Sequence, residues 1–135
     1  MDASLARDVR ERAGHVCEYC RMPESGYPTV PFPIDHIIAR QHGGSTTLDN
    51  LALSCLHDNT HKGPNIAGID TATRKLVKLF HPRRHKWAFH FHWNGPLLEG
   101  RTSIGRVTID VLAMNLEHRV ELRALLLALG VLPGL

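Results

Sequence analysis

Asp35-His36-Ile37-Ile38-Ala39-Arg40-Gln41-His42-Gly43-Gly44-Ser45, continued through Asn50-Leu51 and Cys55 to Asn59-Thr60-His61-Lys62, is the stretch on which the reading of this chain turns. From Asp35 to Asn59 it places a carboxylate, an imidazole and two carboxamides. Cys17-Glu18-Tyr19-Cys20 lies upstream of it and Cys55 within it. The β-branched and aromatic residues from Thr29 to Ala39 favour extended chain, while Pro28, Pro31 and Pro33 rule out a central strand. An edge strand or two short strands are expected, with Asp35-His36-Ile37-Ile38 on the second. Gly43-Gly44 marks a turn, and Thr47-Leu48-Asp49 is placed to cap a helix beginning near Asn50, carrying Leu51, Leu53, Cys55 and Leu56 and stopping before Lys62-Gly63-Pro64. Two β elements and one helix should therefore enclose the polar cluster.

Working outward, Ser4 is a candidate cap for a helix with apolar residues at Leu5, Val9, Ala13 and Val16, ended by Gly14. Beyond Pro64 a loop over 65–70 should lead to a short strand at Leu76–Phe80. Trp87 to Trp93 alternates as a strand, and Asn94-Gly95 is a hairpin turn into Leu97-Leu98-Glu99. Thr102-Ser103 can cap a helix running to Met114. A last helix over Leu116 to Leu129 has Leu122, Leu125, Leu126 and Leu129 at core spacing, with Gly130 as its C-terminal cap. His90 and His92 would then share one half-exposed strand face. The leucine stripe reads as core first and as a dimer interface second, leaving monomer and homodimer both open.

At 135 residues, with 43% hydrophobic and 21% charged residues, the composition is that of an ordinary folded protein with one core. A net charge of +3 permits a polyanionic partner without requiring one. Ten histidines point to metal or proton chemistry. Met1-Asp2-Ala3-Ser4 lacks the features of a secretory leader, and the apolar run Ala124 to Leu132 is too short to span a bilayer. A cytoplasmic protein with no membrane partner is the expectation. In that compartment three cysteines that include a Cys-x-x-Cys pair read as metal ligation or redox chemistry before disulfides.

The chemistry of the cluster is coherent. A strand imidazole at His36 can take a proton from water while Asp35 offers a hard oxygen to a divalent cation. Asn50 can orient that ring, and Asn59 supplies a second oxygen. A cation held by two side chains keeps positions open for a phosphate and a leaving oxygen. Such a set is expected of a metal-dependent phosphodiesterase.

Asp35-His36-Ile37, Gly43-Gly44, Asn50-Leu51, Cys55 and Asn59-x-x-Lys62, bracketed by Cys17-x-x-Cys20, resemble the HNH endonuclease family over about Val9 to Gly63, in a His-Asn-Asn variant. The resemblance implies an α+β fold with a ββα-metal (His-Me finger) core, flanked by an N-terminal helix, a second β-hairpin and C-terminal helices. It implies one nuclease domain over 1–135, with the core in 1–63 and an extension in 64–135. DNA is the implied partner and Mg²⁺ or Mn²⁺ the implied catalytic cation, on Asp35 and Asn59, with His36 as general base and Asn50 positioning it. A structural Zn²⁺ is implied on Cys17, Cys20 and Cys55. Many members use four thiolates, whereas here the second pair reads Cys55-Leu56-His57-Asp58. Asp58 is the first candidate for fourth ligand, with His57 and His61 as substitutes and an empty knuckle as the other outcome. Arg40, Lys62, Arg83, Arg84 and Lys86 are the candidate nucleic-acid contacts. The rival to catalysis is a silent nucleic-acid-binding module of the same fold, and a third reading is a zinc-dependent interaction protein.

Overall fold

The computed structural model describes residues 1–26 and 30–132. The first of the two short strands expected after Thr29 falls partly outside those residues. Helix α1 spans Ala3–Ala13. Its cap is Asp2 rather than Ser4: the Asp2 carboxylate accepts from the Ser4 N–H at 2.7 Å, and an ionised cap also meets the positive end of the helix dipole. Gly14 ends the helix at φ 65°, as expected. Val9 is fully buried, and Arg12 donates to the carbonyls of Leu48 and Leu51 at 2.8 and 2.6 Å, tying α1 to the chain entering the next hairpin.

Strands β1 (Ile34–His36) and β2 (Leu51–Leu53) pair antiparallel, with Asp35 opposite Ala52 and His36 opposite Leu51. Helix α2 (Leu56–Lys62) follows directly, so a hairpin and a helix enclose the polar cluster. The helix expected from Asn50 is corrected at its start, because Leu51, Ala52 and Leu53 form a strand with 0% exposure. A run buried on both faces carries no period, and periodicity alone does not separate it from helix. The connection between β1 and β2 is fixed by its glycines. Gly43 has φ 85°, and any Cβ on Gly44 would lie 1.7 Å from the Ile38 carbonyl oxygen.

The second half adds two hairpins and two longer helices. Strand β3 (Ala67–Ile69) pairs with β4 (Leu76–Lys78), where a loop had been expected before the strand. The stretch Trp87–Trp93 is corrected in the same way. Trp87–His90 forms a single helical turn, α3, and only Phe91–Asn94 is strand, β5, which pairs with β6 (Leu97–Gly100) through the expected Asn94-Gly95 turn. His90 and His92 therefore do not share a strand face. His90 is buried against the Thr102 hydroxyl at 2.6 Å, and His92 pairs with Glu99 at 2.8 Å.

Helix α4 (Ser103–Val111) is capped by Thr102, whose hydroxyl accepts from the Gly105 N–H at 3.1 Å. It ends short of Met114. It packs on β3, β4 and β6, and the Thr108 hydroxyl accepts the Phe80 N–H at 2.9 Å. Arg106 forks onto the buried carboxylate of Asp70 at 3.2 and 2.9 Å, which pulls that carboxyl down to about 2.

Helix α5 (Glu117–Ala128) buries Arg119, Arg123 and Leu126, but Leu125 and Leu129 are 55% and 65% exposed. The all-leucine core stripe is thus corrected, because buried arginines with many acceptors share that face. Arg123 alone reaches the Pro96 and Met114 carbonyls and the Asn115 carboxamide at 2.7–2.8 Å. Among the described residues no helix is long and apolar enough to cross a membrane.

Candidate active site and metal centre

An open cleft of about 450 Å³ is lined by Asp35, His36, Arg40, Gln41, Asn59 and Pro64, with parts of the surrounding backbone. The end of β1 contributes Asp35 and His36, and α2 contributes Asn59 one turn before its C-terminus. Three of the four residues expected at the centre therefore meet on one surface.

The His36 ring is half-buried. Its Nε2 lies 2.9 Å from the Thr46 hydroxyl, and Nδ1 makes no hydrogen bond among the described residues. Burial, and after it the charge of Arg40, hold the imidazole below its ordinary value. That favours the neutral ring, in which a hydrogen on Nε2 given to Thr46 would leave the lone pair on Nδ1. Asn50 does not orient this ring. Its Oδ1 accepts the Ile38 N–H at 2.9 Å, and its Nδ2 donates to the Ile38 and Ser45 carbonyls at 3.0 and 2.8 Å. A buried carboxamide making three backbone bonds clamps the whole 38–45 loop, and Thr46 leaves that loop towards the imidazole. Asn50 acts on the base only through the backbone.

Asp35 is buried. Tyr19 donates its hydroxyl proton to Oδ2 at 2.6 Å, and the Lys62 ammonium lies 3.3 Å from Oδ1 and 3.1 Å from Oδ2. Burial pushes the carboxyl above the usual range, against the pull of Lys62 and Tyr19. Lys62 is only 1% exposed and also donates to the His36 carbonyl at 3.1 Å. The expectation that Lys62 contacts a nucleic-acid phosphate is therefore corrected, since its charge is committed inside the protein. Arg83 is corrected likewise, because its guanidinium pairs with the buried Glu18 carboxylate. Arg40, Arg84 and Lys86 remain exposed. The Asn59 carboxamide makes no hydrogen bond among the described residues, so its oxygen is open to the cleft.

On the other side of α2 a second cluster forms. One ligand atom from each of Cys17, Cys20, Cys55 and Asp58 falls within 4.8 Å of all the others, and all four residues are buried. The Cys17 thiol lies 3.2 Å from Asp58 Oδ2, and the Cys20 and Cys55 sulfurs are 3.8 Å apart. Backbone N–H groups of Cys20 and Asp58 point at the Cys17 and Cys55 sulfurs at 3.5 and 3.4 Å.

Asp58 Oδ1 is buried with no hydrogen-bond partner, and burial, then the Cys17 charge, push its carboxyl well above the usual range. Such a group is costly unless a cation takes the open oxygen. Three thiolates and one carboxylate are good zinc donors in number and type, so the cluster is compatible with zinc, with Asp58 in the place a fourth donor would take. His57 and His61 are spent elsewhere, on the Ala113 and His57 carbonyls at 2.9 and 2.8 Å. Asp58 and Asn59, neighbours on α2, face two different sites, as a 100° step between successive helical residues requires.

Sequence reasoning missed three residues. Thr46 is ten residues from His36, and Tyr19 sits inside the cysteine pair, where nothing local marks it. Arg119 comes from α5, and its Nη2 lies 3.6 Å from the Cys55 sulfur and 3.8 Å from that of Cys20. Four negative ligands around a divalent ion would leave excess negative charge, and this guanidinium would offset it from beside the sulfurs. Restoring a fourth thiolate with Asp58→Cys should raise both the melting temperature and zinc retention against a chelator, because bound metal stabilises the folded state in proportion to its affinity. Metal analysis and thermal melts of both proteins check this. A parent without zinc, and a variant that neither gains zinc nor melts higher, would contradict it.

Residues 17–65 match the family model for HNH endonuclease. That span holds Asp35, His36, Asn50, Asn59 and all four members of the cysteine–aspartate cluster. The family points to nuclease or nucleic-acid-binding function and to a divalent metal. No curated protein and no solved structure matches the chain.

Proposed function

We propose that this protein is an HNH-family endonuclease that hydrolyses DNA phosphodiester bonds with the help of Mg²⁺ or Mn²⁺. The observation that carries the proposal is the cleft in which His36, with Nδ1 open, lies beside Asp35 and the unengaged Asn59 carboxamide.

The donor chemistry of the cleft suits a hard cation, for which Asp35 and Asn59 supply a carboxylate and a carbonyl oxygen. When bound, that cation supplies Lewis-acid stabilisation of the phosphate charge and of the departing oxygen. His36 Nδ1 accepts the proton of the attacking water, while Thr46 holds the other nitrogen and fixes the tautomer. Asn50 keeps the 38–45 loop, and so Thr46, in place. Tyr19 and Lys62 hold the Asp35 carboxylate in one orientation. Arg40, on the rim, is placed to attract a phosphate.

Asn59→Ala should slow cleavage mainly by raising the Mg²⁺ concentration needed for half-maximal rate, because a two-ligand site depends on each oxygen. A metal titration of parent and variant checks this, and an unchanged Mg²⁺ requirement with an unchanged rate would remove Asn59 from the site.

The second reading is a nucleic-acid-binding module that does not cut. The observation favouring it is that Lys62 and Tyr19 already engage both Asp35 oxygens. Metal-stimulated formation of new 5′-phosphate ends on a duplex oligonucleotide decides between the readings. Their appearance supports the first, and binding without them supports the second.

A further inference from the structure

A second cavity has Ile37, Ile38 and Lys62 on one part of its wall and, beyond the family-matched residues, Ile66 and side chains of 78–85 on the rest. It measures about 100 Å³. Its floor is apolar, with Ile37, Leu79 and Phe80 buried, and its polar lining includes Lys78, His81, Arg84 and His85. No carboxylate lines it.

The contrast with the cations nearby is informative. Lys62, Arg83 and Arg106 each have a carboxylate partner, in Asp35, Glu18 and Asp70, whereas Lys78 and Arg84 have none among the described residues. The histidines are also preset as donors. The His85 Nδ1 accepts the His81 N–H at 2.9 Å, and the His81 Nδ1 accepts the Arg83 N–H at 3.2 Å, so in the neutral rings the hydrogen is on Nε2. Burial keeps both rings below their ordinary value, and the charges acting on them are other histidines and cations: Arg84 and Lys62 at His81, Lys78 and Arg84 at His85. Uncompensated cations over an apolar floor act in a lower effective dielectric than water, which strengthens their pull on an anion.

We infer that the cavity between β4 and the 81–85 turn binds a phosphate group, with Lys78 and Arg84 supplying charge and His81 and His85 supplying N–H donors. Two sources share that chemistry, a backbone phosphate of the nucleic acid and free phosphate. On the endonuclease reading proposed above, the first is the physiological one, and the pocket positions substrate away from the scissile bond.

The test uses the full chain. Titration with inorganic phosphate, followed by NMR of the histidine rings, should shift the His81 and His85 signals, and Lys78→Gln with Arg84→Gln should abolish the shift. Both cations are exposed, so the melting temperature should stay at the parent value. For DNA binding, removing one phosphate contact should lower the slope of log K against log salt by about 0.9 and raise Kd. Lys75→Gln, an exposed cation on the neighbouring turn, controls for net charge.

A ring shift with phosphate together with a slope loss confined to the Lys78 and Arg84 variants supports the pocket and the backbone source. Ring shifts without a slope change support a phosphate site and overturn the backbone source. No ring shift, or an equal slope loss in Lys75→Gln, overturns the inference. A parent that shifts its rings with phosphate but neither binds nor cuts DNA sinks the endonuclease reading and leaves the pocket standing.

Discussion

Replacing His36 with alanine is expected to slow metal-dependent cleavage by about 10²–10⁴-fold, the range for a positioned acid–base group, without loss of DNA affinity or fold. The separation is clean because of how His36 is held. Its backbone pairs with Leu51 and accepts from Lys62, and neither contact needs the ring. The ring itself has a single hydrogen bond among the described residues, to Thr46 on the exposed side of the loop. Cleavage rate, DNA Kd and melting temperature measured together give the answer. Thr46→Val should cost less, because the base survives and loses only its tautomer control. Activity of His36→Ala near the parent level would take His36 out of the mechanism.

Lys62→Met is expected to destabilise the protein by about 3–5 kcal/mol at neutral pH, the usual result of removing one partner from a buried ion pair. The methionine fills similar space but leaves the Asp35 carboxylate buried with Tyr19 as its remaining side-chain donor. The pH dependence has a definite sign. Burial already raises the Asp35 carboxyl, and Lys62 is the largest influence opposing that, so its removal raises the carboxyl further. A carboxyl raised in the folded state costs stability above its folded value and not below its unfolded value. The deficit should therefore be full at neutral pH and shrink as the solution is acidified towards the ordinary carboxyl range. Denaturant melts of parent and variant across that range check it. A deficit that is small, or that grows on acidification, would show that the pair is not holding a charged Asp35.

The sequence made the centre legible and left its supports hidden. Asp35, His36, Asn59 and the cysteine cluster stand close together in the chain, on adjacent short elements, so spacing alone brings them near one another. The same spacing left Asn50 ambiguous, because a carboxamide pairs as well with backbone as with a ring, and here the Gly43-Gly44 loop offers it three backbone groups. Lys62 looked like a surface cation at the end of a helix. Only the fold shows that α2 turns it under β1 towards Asp35. Tyr19 and Arg119 reach their partners across 16 and 64 or more residues, and no local pattern encodes such a contact. Among the elements, the capped and glycine-ended helices were found within a few residues, since their signals are local. Leu51–Leu53 and Trp87–His90 were misjudged because a fully buried strand and a single helical turn carry no period long enough to identify.

The most direct measurement is incubation of the purified protein with supercoiled plasmid, with Mg²⁺, with Mn²⁺ and with EDTA, alongside His36→Ala. Nicked or linear plasmid with either cation, absent with EDTA and strongly reduced in the variant, is the predicted result. Plasmid that is bound but stays supercoiled under every condition, or is cut equally by parent and variant, would contradict it.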